Sequence, residues 1–92
     1  MQLRWTEQAA DDLENIVNYL FEHAPEHAER IARTIYNAPS ALLKFPHRGR
    51  QGRKEGTREL VLPPLPYLVV YQVRDEIIHI VRILHAAQDW PQ

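Results

Sequence analysis

The sequence predicts an α+β domain: an N-terminal strand and an α-helical hairpin, then three strands, the helices packed on one face of a small, antiparallel-rich, twisted sheet in the order β-α-α-β-β-β. Three observations predict it. Apolar residues from Leu13 to Phe21 recur at helical spacing, a proline divides the helical half, and β-branched residues crowd the stretch from Val69 to Ile83. With 92 residues the chain allows one domain over 1–92, whose core must be shared by few elements.

Gln2–Trp5 reads as the first strand. Thr6 can cap a helix, and Glu7, Asp11 and Asp12 put negative charge in its first turns, where it suits the helix dipole. Leu13, Ile16, Val17, Leu20 and Phe21 then form one apolar face. Pro25 ends this helix, and a second begins near Glu26 with Ala28, Ile31, Ala32 and Ile35 inward. Pro39 falls inside the continuing pattern, so the helix is expected to kink or restart there before Leu42, Leu43 and Phe45.

The next stretch, FPHRGRQGRKEG, holds all three glycines and reads as a basic loop, with no apolar residue between Pro46 and Thr57. Strands are expected over 58–62, 67–73 and 77–84. Pro63-Pro64-Leu65-Pro66 connects the first two, and Asp75-Glu76 makes a tight turn between the others. One sheet face, the basic loop and a short tail containing Trp90-Pro91 are left free of the helices.

A composition of 45% hydrophobic and 25% charged residues suits an ordinary soluble globular protein. The chain has no cysteine, which removes disulfides, thiolate zinc sites and cysteine nucleophiles, and fits a cytoplasmic location. The N-terminus has no apolar stretch suited to a signal peptide. The longest apolar run, 60–71, is broken by three prolines and falls short of the ~20 residues a membrane helix needs, so no membrane role is expected. The net charge of −1 hides a segregation. Residues 41–58 carry Lys44, Arg48, Arg50, Arg53, Lys54 and Arg58 against Glu55 alone. Such a segment attracts polyanions locally, or is a solvated loop.

Arg82 stands among apolar neighbours in HIVRILH. It must face the open side of the sheet with Ile78, Ile80 and Leu84, or pair with a carboxylate such as Glu59 or Asp89. Arg58 opens the strand after the basic loop, and His85 ends the last strand. Together the three residue types suit metal-free cleavage of an RNA phosphodiester. Histidine moves protons near neutral pH, while arginines hold the phosphate and the charge that builds on it. Ion pairing of the arginines and a surface histidine are the structural alternative. His23 and His27 have helical metal spacing, but Pro25 breaks the helix and no third ligand is evident, so no metal and no cofactor are expected. His47 could contact phosphate and His79 reads as a core or edge residue. Tyr67 and Tyr71 share a strand face, for base stacking or for packing. Walker, HExxH and GxSxG motifs are absent.

Four segments in order, LRWTEQAADDLENIVNYL, FPHRGRQGRKEGTRELV, PYLVVYQV and IIHIVRILHAAQDW, resemble the RelE/ParE family of bacterial type II toxin–antitoxin toxins over nearly the full chain. The resemblance implies a toxin restrained by a cognate antitoxin, with one of two activities that the fold cannot choose between. RelE-like members cut mRNA in the ribosomal A site without metal; ParE-like members inhibit DNA gyrase and are not nucleases. In the first case Arg58 and Arg82 would hold the scissile phosphate, His85 would assist, and Arg48, Arg50, Arg53 and Lys54 would bind RNA. The partners are then ribosome and mRNA, or gyrase. The charge of −1 favours gyrase, because rRNA binding is largely electrostatic. The presence of Arg58, Arg82 and His85 favours the nuclease. The sequence expectation is therefore ribosome-dependent mRNA cleavage, lost in a folded Arg82→Ala variant, with gyrase inhibition as the alternative. A plain nucleic-acid-binding module, needing only the basic loop, is a further one.

Overall fold

In the computed structural model, which describes residues 1–91, strand β1 (Gln2–Trp5) hands over to helix α1 (Glu7–His23) at Thr6. Its hydroxyl accepts the Ala9 N–H at 3.1 Å, which satisfies one of the helix's free donors, and donates to Val81 O at 3.2 Å. One side chain thus starts the helix and ties it to the last strand. Pro25 opens helix α2 (Pro25–Asn37), a position where its missing N–H costs nothing.

The restart expected at Pro39 takes the form of a change of helix type, to a 3₁₀ helix over Ala38–Leu43. Pro39 and Leu42 are buried, but Leu43 and Phe45 are not. The tighter turn rotates them off the face that α2 sets, so the apolar pattern outlasts the core. Phe21, counted with the apolar face of α1, is likewise exposed.

Strands β2 (Arg50–Gln51), β3 (Arg58–Val61), β4 (Tyr67–Arg74) and β5 (Ile77–His85) complete a five-stranded sheet of order β1-β5-β4-β3-β2. β1 runs parallel to β5 and every other pair is antiparallel. β2 lies inside the stretch read as a loop. It pairs Arg50 with Glu59 and Gln51 with Arg58, and both of its residues are exposed, so no apolar alternation marks it. Asp75 and Glu76 make the β4–β5 turn with φ of 55° and 60°, the left-handed pair that matches strand twist in a two-residue hairpin.

Val70 faces Arg82 while Tyr71 faces Ile80, which leaves Val81 without a partner across the ladder. This bulge changes the phase of the alternation. Ile78, Ile80 and Ile83 enter the main core under the helices, with Ala9, Ile35, Leu42, Tyr67, Val69 and Tyr71. Leu84 joins Leu68 and Val70 on the opposite face. Grouping Arg82 with Ile78 and Ile80 by simple alternation therefore fails at the bulge. The opposite face is not bare either, since Val81 and Trp90 pack over Leu68, Val70 and Leu84. Among the described residues no helix is long and apolar enough to cross a membrane.

Thr6→Ala removes both the cap and the tie to β5. It is expected to cost about 1–2 kcal/mol and to lower Tm by roughly 5–10 °C for a chain of this size, while Thr6→Ser stays near wild type. Thermal unfolding followed by circular dichroism checks this; an unchanged Tm in Thr6→Ala would remove the residue from the account.

Candidate functional site

β5 runs on past the end of β1, whose last residue, Trp5, pairs with Ile80. Beyond that point α1 supplies what a neighbouring strand would. The Asp12 carboxylate accepts the Ile83 N–H at 3.0 Å and the Arg82 guanidinium through Nε at 2.7 Å and Nη2 at 3.1 Å. The Gln8 amide donates to the same carboxylate at 3.3 Å. Asp12 is 8% exposed, and a charge at that depth persists only with charge-assisted partners. The hydrogen bond to Asp12 outweighs the opposing effect of burial and raises the Arg82 pKa further. The carboxylate that answers Arg82 is thus Asp12, not Glu59 or Asp89. Removing Arg82 strands it, so Arg82→Ala does not separate chemistry from folding.

Glu59 does the same for the basic segment. It is 1% exposed. Oε1 accepts Arg50 Nε at 3.3 Å and Nη2 at 3.0 Å; Oε2 accepts the Arg53 backbone N–H at 2.9 Å and Nε at 3.1 Å. Burial alone raises the Glu59 pKa, but the bonds from the Arg53 backbone and from the Arg50 and Arg53 side chains, with the Arg53 charge, hold it below its ordinary value. Gly52 N–H donates to Thr57 O at 2.8 Å, and a Cβ on Gly52 would run into Thr57. The stretch folds back on itself and is fixed to the sheet.

The three residues grouped from the sequence are not brought together. Arg58 is paired with Tyr71 and so lies on the helix side of the sheet, where Nη1 donates to Gly49 O at 2.9 Å and His47 O at 3.3 Å. Arg82 is paired with Val70, on the opposite face. His85 closes β5 with its ring edge-on to Tyr67, centroids 5.6 Å apart, and its Nδ1 accepts the Ala87 N–H at 3.1 Å. Burial, with Tyr19 nearby, pushes the Tyr67 phenol pKa up. Arg50 and Arg53 meet on Glu59. Lys54 and Arg82 line one cleft of about 370 Å³ with Gln88, Asp89 and Trp90, and Lys54 Nζ lies 5.9 Å from the Trp90 ring centroid. Arg48 stands apart on an exposed turn with Lys44 and His47. Tyr71 is fully buried and so packs rather than stacking on bases. His23 lies against Tyr19, and His27 against Arg30.

Sequence reasoning missed Asp12 as a partner, although the signal was there. It falls three residues after Ala9 and four before Ile16, on the apolar face, where a charge needs an answer. The structure also shows an apolar groove of about 470 Å³ lined by Trp5, Ala10, Leu13, Val17 and Tyr36, in which the Trp5 and Tyr36 rings stack at 5.6 Å.

A family model described as the ParE toxin of the type II toxin–antitoxin system parDE matches residues 3–90. The toxin RelE2 of Caulobacter vibrioides is 41% identical over 87 residues, covering 95% of this chain and 97% of that protein. Among solved structures, one from the chromosomal ParDE system of P. aeruginosa superposes with a TM-score of 0.84 at 30% identity, over 92% of this chain and 95% of that one. One from the RelBE2 toxin–antitoxin complex of Mycobacterium tuberculosis gives 0.63 at 25% identity, over 95% and 92%.

Because the folded-state pKa of Glu59 is lowered, its contribution to stability is complete above the ordinary glutamate value of about 4.3 and is lost as pH falls through the lower folded value. Glu59→Gln is expected to cost roughly 2 kcal/mol at neutral pH and to decline less than wild type below pH ~4.3. Urea unfolding at pH 7 and pH 3 measures both, and parallel pH dependences would refute the role given to this carboxylate.

Proposed function

The chain belongs to the ParE toxin family of type II toxin–antitoxin systems, and on that footing we propose that it stops growth by binding a protein target while a cognate antitoxin restrains it. DNA gyrase is the target that the ParE resemblance implies.

The observation that carries this reading is the engagement of the arginines. Metal-free cleavage needs cations and a proton carrier converging on one phosphate, each within hydrogen-bond reach. Here Asp12 takes two donor groups of Arg82, main-chain carbonyls take Arg58 on the other face, and Glu59 takes Arg50 and Arg53. Releasing any of them uncovers a buried carboxylate or a carbonyl. The net charge of −1 supports the same reading, since binding to rRNA draws on many phosphate contacts.

The antitoxin follows from the family, and both solved relatives come from toxin–antitoxin systems. The groove of Trp5, Leu13, Val17 and Tyr36 has the apolar lining that suits one face of an amphipathic helix. The nuclease reading keeps one supporting observation. The cleft holding Lys54, Arg82 and Trp90 offers cations beside an aromatic ring, enough to hold a nucleotide.

Two assays on the purified protein separate the readings. Inhibition of gyrase supercoiling, with mRNA left intact by primer extension in a purified translation system, is the expected result. A-site cleavage with supercoiling unaffected would overturn the proposal. Harm on expression alone, relieved by co-expressed antitoxin, is expected in either case.

A further inference from the structure

Leu43 and Phe45 stand two residues apart at the end of the 3₁₀ helix, 43% and 56% exposed, with Lys44, His47 and Arg48 beside them. Lys44 Nζ lies 5.8 Å from the Phe45 ring centroid. Arg50, Arg53 and Arg82 have carboxylate partners; among the described residues Lys44 and Arg48 have none. Two cations of the basic segment without a carboxylate partner therefore flank two exposed apolar side chains.

This turn is held from beneath. The buried Tyr71 hydroxyl donates to Pro46 O at 2.8 Å and accepts the Gly49 N–H at 2.9 Å, while Arg58 donates to the His47 and Gly49 carbonyls. The Phe45 N–H donates to Ala41 O and the Arg48 N–H to Phe45 O, each at 3.1 Å. A Cβ on Gly49 would lie 2.7 Å from the Tyr71 ring, so the glycine and the tyrosine are fitted to each other. A solvated loop has no need of such anchors. A turn fixed in advance loses little freedom on binding, which is how an aromatic anchor between cations gains affinity.

We propose that the 43–48 turn is the surface through which this toxin docks on its protein target: Leu43 and Phe45 enter an apolar pocket whose rim is acidic, and Lys44 and Arg48 steer the approach. The inference rests on the protein-target reading above and adds the docking surface and the chemistry of its partner. A phosphate backbone would use the cations but leave Leu43 and Phe45 in water, which favours a protein. The turn shares no lining residue with the groove of Trp5 and Tyr36, which favours the target over the antitoxin.

The test compares Phe45→Ala and Lys44→Glu/Arg48→Glu with wild type in the full chain. Thermal unfolding, antitoxin co-purification, growth on induction, gyrase supercoiling and mRNA primer extension are the readouts. Both variants are expected to unfold at the wild-type temperature and to retain the antitoxin. Both should need at least tenfold more toxin for the same growth arrest, the charge reversal losing more at low salt. Folded variants that remain fully toxic overturn the proposal. So does loss of antitoxin binding with toxicity intact, which would make the turn part of that interface, or a wild type that cuts mRNA through this turn. If both variants lose toxicity while wild type leaves both gyrase and mRNA untouched, the docking surface stands and gyrase is the wrong target.

Discussion

The last strand of this protein is longer than the strand beside it, and the carboxylate that closes the exposed edge organises much else. Asp12 satisfies the Ile83 N–H that β1 is too short to reach, and fixes Arg82 in the same act. Because Thr6 also bonds to β5, the first two turns of α1 are pinned to the sheet at two heights. With four donor groups on the Asp12 carboxylate, removing its charged partner Arg82 costs several kcal/mol, on the order of 3–5. The orientation of α1 follows from this, and with it the apolar groove that α1, α2 and β1 share.

Glu59 repeats the device on the opposite edge of the sheet. Two arginines and a backbone N–H converge on it, and the segment with the highest charge density becomes an ordered strand and turn. Three of the six cations of the basic segment, Arg50, Arg53 and Arg58, are thus engaged within the fold. What is left unanswered sits on the Phe45 turn and around Lys54.

Most elements were legible because their signals are local: the Thr6 cap, the spacing from Leu13 to Leu20, the proline at the head of α2, the Asp75-Glu76 turn. The resemblance of four ordered segments brought the family within reach as well. The failures share a different cause. β2 has no apolar pattern because both of its residues are exposed, and the carboxylate that holds its Arg50 lies nine residues further on, in Glu59. The face of Arg82 was misassigned because a bulge at Val70/Tyr71 resets the alternation, and nothing in HIVRILH announces a bulge. Its partner lies 70 residues away in sequence. Leu43 and Phe45 continue a helical pattern, but a 3₁₀ turn carries them outward, so periodicity alone does not reveal their exposure.

The most direct measurement of the central claim, that these arginines hold the fold and not a phosphate, is growth inhibition by the double variant Asp12→Asn/Arg82→Met. It removes both charges of the buried pair, keeps an acceptor for the Ile83 N–H, and replaces the pair with groups of similar size, an exchange that buried ion pairs often tolerate. The account requires a folded protein, by circular dichroism, that arrests growth as wild type does. A folded double variant that is harmless would contradict it and return Arg82 to the chemistry.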